Sequence, residues 1–391
     1  MRGKTGRILF TMLLVLLVFG LGTKIVEASE NDDVQQSDDV QKEVQEALLS
    51  EFDFSGIEES LDQMFPREKI SFSDAVSALM SGNMTETIRM FLGFLGDQAA
   101  YEFDYNWQNL VYVLLVALTA AVFSNFAGAF KSRQISDISF YIMYMLLITL
   151  CLTSFRISAE GLEDKLSKLI EFMRVLCPSY FLAVAFASGS VTSLFFYNVI
   201  LFLIYVVELV IVRFLLPVVN IYIMVLVLGN LTGEDFLSEF ADLIRKIVTW
   251  TLKTLLICVV SVNVMQGLLA PAIDAVKRSA LTRTAEALPW VGNAVGGAAE
   301  IVLGTAVLIK NGIGMAGAVI TIAICAVPVL QMLIMAFMYK LAAALVQPVS
   351  DKRITACISG VSEGYEIMVR VIFTTGMLFM LTIAIVAAST S

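Results

Sequence analysis

From Val175 to Leu231 the chain runs 57 residues with only two charges, Glu208 and Arg213. A hydrocarbon core of about 30 Å is crossed by about 20 helical residues, so this stretch suits two spans, near 178–200 and 202–230. No core folded in water has room for it. The whole chain agrees: 58% of its 391 residues are hydrophobic, 16% are charged, and the mean hydropathy is +0.82. Soluble domains sit nearer roughly 45–50% apolar. The expected fold class is an all-α, polytopic membrane helix bundle of seven or eight spans, carrying a small helical exported module at its N-terminus.

The formal charge of −9 is unevenly placed. Ser29–Phe65 holds twelve acids against one base, Lys42, so that segment alone carries −11 and the remainder is close to neutral. No basic stripe exists to neutralise phosphates, which excludes a nucleic-acid partner. The five cysteines, Cys151, Cys177, Cys258, Cys325 and Cys357, have no CxxC spacing. They read as small apolar residues, with a disulfide or metal site as the rival. There is no histidine, which rules out histidine-dependent triads and zincins, and no constellation points to an enzyme or a cofactor.

Arg2, Lys4 and Arg7 precede the apolar run Ile8–Phe19, and Val26-Glu27-Ala28 supplies small residues for cleavage. Residues 1–28 therefore read as a signal peptide, or as an uncleaved anchor; either one places residue 29 onward outside the cytoplasm. Residues 29–106 form the exported acidic module. Apolar positions recur at helical spacing after Val44, Ser71 caps a second short helix, and Ile88, Phe91, Leu92 and Leu95 make a third stripe. The module is either a helical stalk or a docking surface for another exported domain.

Residues 107–391 form the polytopic domain. Spans are expected at 107–130, 141–155 (extended to Ile138), 248–269, 289–309, 312–339 and 366–388, besides the two above. Residues 156–174 and 233–246 are amphipathic and expected at the interface. Lys277, Arg278 and Arg283 put the 270–288 loop in the cytoplasm. Whether 289–309 crosses or only dips decides between eight spans and seven. Pro178 and Pro217 are 39 residues apart, as are Pro289 and Pro328, which hints at inverted repeats over 176–269 and 287–388, an architecture of transporters.

Lipid gives helices little reason to associate, so small residues must let backbones approach. Gly292 and Gly296 form a GxxxG pair continued by Gly297 and Gly304. The intramembrane charges are Glu208, Arg213, Glu300 and Lys310. Each costs at least about 2.5–3.5 kcal/mol at mid-bilayer and must face protein or water. These eight residues are the candidate pathway or packing positions. Interhelical pairing is the plainer reading of the charges, and Lys310-Asn311 can equally end a helix at the interface. Asn198, Asn220, Asn263, Gln266 and Gln331 are expected to hydrogen-bond between helices. Gly312–Gly317 matches GxGxxG but lies in a membrane run without a following acid, and no P-loop exists, so ATP drive must come from elsewhere.

The stretch AEALPWVGNAVGGAAEIVLGTAVLIKNGIGMAG, beginning at Ala285, resembles the stage III sporulation protein AE family of endospore-forming bacteria. The most specific parts are ALPWVGNAVGGAAE and IKNGIG; CISGVSEGY from Cys357 fits more loosely. The acidic segment 29–65 is where divergence is expected. The resemblance implies a component of a multiprotein, secretion-like channel in the mother-cell membrane around the forespore, needed for late forespore development. The implied partners are other stage III sporulation membrane proteins, a forespore membrane protein and, indirectly, a secretion-type ATPase. It carries over no catalytic residue. A stand-alone secondary transporter is the competing reading.

Overall fold

The structure, a computed structural model, describes residues 52–64, 71–80, 84–129, 133–188, 192–232, 237–285 and 296–389. The signal segment and the start of the acidic module lie outside them, as does the whole of the small unit before residue 48; residues 48–391 form one compact unit. Two short helices, α1 (Ser55–Met64) and α2 (Phe72–Met80), precede α3 (Met84–Ala129) and α4 (Arg133–Ser188). Next come α5 (Thr192–Glu208), a π-helical segment (Leu209–Leu215) and α6 (Leu216–Thr232). The chain closes with α7 (Ser238–Ala285), α8 (Gly296–Val346) and α9 (Lys352–Ser389). The fold is an all-α polytopic membrane bundle. Among the described residues five helical stretches are long and apolar enough to cross: 140–187, 197–230, 238–265, 304–346 and 352–386.

The helices are longer than the sequence pattern implies. Residues 156–174 are not a separate amphipathic helix; they are the middle of α4, whose 56 residues extend about 84 Å. Exposed pairs let the helix run through its charged stretch: Arg156 to Glu160 (2.8 Å), Lys168 to Asp164 (2.9 Å) and Arg174 to Glu171 (2.9 Å). Each supports the helix locally. In the same way 233–246 is not a separate interfacial helix, since α7 takes it up from Ser238. The 289–309 and 312–339 spans are one helix from Gly296 onward, so Lys310-Asn311 does not end a helix. Residues 178–188 belong to α4, and 192–232 is a second helical stretch holding one candidate span, 197–230.

Contacts between helices mark the two ends of the bundle. Arg353, after α8, stacks 3.9 Å over Phe140 near the start of α4, and Tyr144 donates to the Val227 carbonyl near the end of α6 (3.2 Å). At the other end Tyr180 donates to the Ile383 carbonyl (3.4 Å), and Asn263 to Thr382 Oγ1 (3.2 Å). Helix α7 therefore leads toward the end that carries α1, α2 and the C-terminus of α9. Lys277, Arg278 and Arg283 belong to α7, which runs unbroken to Ala285.

The module does not stand off as a stalk. Ser71 caps α2, accepting from the Asp74 amide (3.2 Å), and Glu58 of α1 accepts from the Ser73 amide (3.1 Å). Asp53 opens α1 by accepting from the Ser55 hydroxyl and its amide (2.9 Å), and these bonds hold its carboxyl below the usual range. The stripe from Ile88 to Leu95 belongs to α3, which passes residues 106 and 107 without a break. Phe52, Phe54 and Phe72 cluster, with Phe186 of α4 against Phe52 at 6.0 Å. Ser179 of α4 donates to the Asp53 carbonyl (3.3 Å), and α2 lies on α8.

Candidate functional site

Among the described residues, close helix contact is set by glycines of α8 and α9 that the sequence pattern did not single out for packing. A Cβ on Gly312 would lie 2.7 Å from Met80 of α2; on Gly314, 3.0 Å from the Tyr180 hydroxyl; on Gly317, 2.7 Å from Leu176. These three seat α2 and α4 on α8. A Cβ on Gly360 would lie 2.9 Å from Leu226, and one on Gly364 would overlap Ile223 and come 2.9 Å from Phe155. Gly360 and Gly364 are a GxxxG pair, and they bring α9 against α6. Gly304, by contrast, is exposed, and a Cβ there would meet nothing within 4 Å. Among the described residues no neighbouring helix approaches Gly304. Gly296, Gly297 and Glu300 begin α8, while Gly292 lies outside the described residues.

One of the predicted intramembrane charges pairs between helices. Glu208, the residue before the π segment, accepts from Arg174 of α4 at 2.8 Å. It does not pair with Arg213, in keeping with the 140° or so that five residues turn on a helix. Arg213 sits within the π segment and is exposed. The segment has a local cause. Pro217 offers no amide to the turn before it, and the widened turn is closed instead by the Leu216 amide bonding to the Ile211 carbonyl. Lys310 is fully buried.

Three polar contacts at the bundle's mid-height escaped the sequence reading. Glu363 of α9 accepts from Arg245 of α7 and Tyr222 of α6, each at 3.4 Å. Lys165 of α4 donates to Gln331 of α8. Glu102 of α3 is buried and receives the Asn106 amide at 3.3 Å. The signal for Lys165 was present as charge inside a helical run, hidden by the expected interfacial placement of 156–174; Glu102 was hidden by its assignment to the exported module. Gln331 and Asn263 do bond between helices, as expected. All five cysteines are free, with Cys151, Cys177 and Cys357 buried and Cys258 exposed. Among the described residues no group of three or more His, Cys, Asp or Glu could hold a metal ion.

A profile of stage III sporulation protein AE matches residues 70–390. The chain belongs to that family. The match takes in α2 through α9 and leaves out the acidic segment 29–65. Within the family, a stage III sporulation protein AE of Bacillus subtilis (strain 168) is 24% identical over 389 residues, covering 97% of each chain. No solved structure matches. In this AE family member the glycines of IKNGIGMAG are thus contact points for α2 and α4, and those of SGVSEG for α6.

Proposed function

We propose that this AE-family chain is an integral component of a sporulation channel or secretion-like complex. It would sit in the mother-cell membrane around the forespore, with its N-terminal module outside the cytoplasm. The single observation that carries the reading is a family match running through all five candidate membrane-crossing helices among the described residues. The pairing of intramembrane charges supports an anchoring role: Arg174–Glu208 and Arg245–Glu363 join helices to each other. The lack of a P-loop in the sequence leaves energy supply to an ATPase partner.

A stand-alone transporter is the second reading, favoured by one feature. The paired groups at Arg174 and Arg245 keep 46% and 40% of their side-chain surface exposed, and hydrocarbon does not tolerate such exposure. Affinity purification of the tagged full-length chain from sporulating cells separates the two. Co-purification of several sporulation membrane proteins, with no solute uptake by vesicles holding the chain alone, is expected. A chain that purifies alone and drives solute-specific uptake overturns the proposal.

A further inference from the structure

Among the described residues, α7 is the least covered of the candidate crossing helices. Only 28% of its most apolar window is buried, against 39% to 50% in the other four. Its outward face runs from Glu239 through Asp242, Lys246, Trp250 and Lys253 to Ile257, all exposed and three or four residues apart, the spacing of one helix face. Trp250 keeps 74% of its surface and Ile257 65%. Beside this face Arg245 and Glu363 pair while still 40% and 37% exposed. The ionised groups of the flank are three acids, Glu239, Asp242 and Glu363, and three bases, Arg245, Lys246 and Lys253.

The level of these charges in the bundle decides what can cover them. Glu363 of α9 accepts from Arg245 of α7 and Tyr222 of α6, and its neighbour Ser362 donates to the Ala336 carbonyl of α8. Those contacts set α6, α7 and α8 at one level. There α6 presents Ile221 and Met224, and α8 presents Phe337, all exposed and apolar, as suits lipid. At the same level α7 presents Asp242 and Lys246, both exposed. Among the described residues neither forms an ion pair. An ion at mid-bilayer costs at least about 2.5–3.5 kcal/mol, so the flank of α7 is turned to protein while its neighbours face lipid.

We propose that this flank is a self-association surface, on which α7 of a second copy of the chain packs side by side in the same orientation. The charges are complementary to themselves. Copies inserted by one route point the same way, so the two-fold axis runs along the membrane normal and each side chain meets partners of its own depth. Asp242 and Lys246 are one turn, about 6 Å, apart along the axis. Asp242 of each copy therefore reaches Lys246 of the other, giving two reciprocal pairs. Trp250 falls one turn further on, a large aromatic anchor of the kind that dominates such contacts. The self-association does not depend on which other proteins join the assembly.

Oxidative cross-linking of the full-length chain in native membranes tests this. The background is Cys258→Ser, which removes the exposed native thiol of α7. Trp250→Cys should then give a chain-to-chain disulfide. Ile142→Cys on the apolar flank of α4, where the native side chain is 62% exposed, is the lipid-facing control and should stay monomeric. Native mass spectrometry of the chain in lipid nanodiscs reads the charge pairs. Lys246→Asp sets acid against acid and should lower the dimer fraction several-fold. Adding Asp242→Lys to it exchanges the two signs and should restore the dimer. No disulfide from Trp250→Cys, or a yield no higher than that of Ile142→Cys, overturns the proposal. So does Trp250→Cys joined only to a different protein, or a charge exchange that rescues nothing.

Discussion

Gly304 and Gly364 are both glycines in long apolar helices of this chain, and their surroundings are opposite. Gly304 opens onto empty space, whereas Gly364 is closed on by Ile223 and Phe155. The first lies in a glycine-dense run of the sequence; the second lies in the shorter GxxxG pair Gly360–Gly364. Glycine content records where a backbone is free to be approached, and only the partner helix decides whether it is. Helix α8 makes the point within itself. Eight residues past Gly304, Gly312 is occupied by Met80 and Val76 of α2.

The contrast is broken most forcefully by enlarging the closed position. Gly364→Ile would drive new carbon atoms into Ile223 and Phe155, and overpacking of this kind costs about 1–3 kcal/mol. Reversible unfolding in detergent should show the loss, together with a lower yield of folded chain. Enlarging the open position has the reverse sign. Gly304→Ala adds a methyl that touches no neighbour and removes a glycine from a helix, so stability should hold or rise by up to about 1 kcal/mol. If Gly304→Ala destabilises as strongly as Gly364→Ile in the same assay, the distinction between the two regions is lost.

A smaller effect separates the paired charges. Glu208→Gln leaves a hydrogen-bonding side chain for Arg174 but removes the charge, and the pair is part-exposed, so a loss of about 0.5 kcal/mol is expected. Arg213→Gln, which breaks no contact among the described residues, should cost less when measured alongside it. The smallest effect belongs to Asp351, at the turn before α9. Burial pushes its carboxyl up, but hydrogen bonds from the Arg353 side chain and amide, with the guanidinium charge, pull it lower still, so the net shift is downward. A depressed carboxyl stabilises the fold above its unfolded pKa and loses that contribution as pH falls through its folded value. Asp351→Asn should therefore flatten the acid limb of a stability–pH curve slightly and leave neutral pH nearly unchanged.

Much of the fold was legible in the residues. Apolar runs fixed the membrane class, and Ser71 announced the start of α2. The all-helical bundle needed nothing more than these patterns. What the pattern hid was continuity. Charged stretches such as 156–174 look like interruptions in a hydropathy profile, yet Arg156–Glu160 and Asp164–Lys168 sit one turn apart and hold a helix together. Partnership between helices was hidden for a different reason. That Glu208 would meet Arg174, and Glu363 meet Arg245, depends on which helices become neighbours, and the spacing along one strand of sequence does not carry that.

The central claim is that small residues let the membrane helices of this chain approach closely, with α8 and α9 as the principal pair. A Cβ at Gly376 of α9 would lie 3.2 Å from the Cβ and 2.7 Å from the Sγ of Cys325 in α8, near the separation that a disulfide bridges. Gly376→Cys in the full-length membrane-embedded chain, treated with a mild oxidant and mapped by peptide mass spectrometry, reads this contact directly. A disulfide within one chain between Cys325 and the introduced thiol is the predicted product. Two free thiols after oxidation, both still open to alkylation, would contradict the packing on which the account rests.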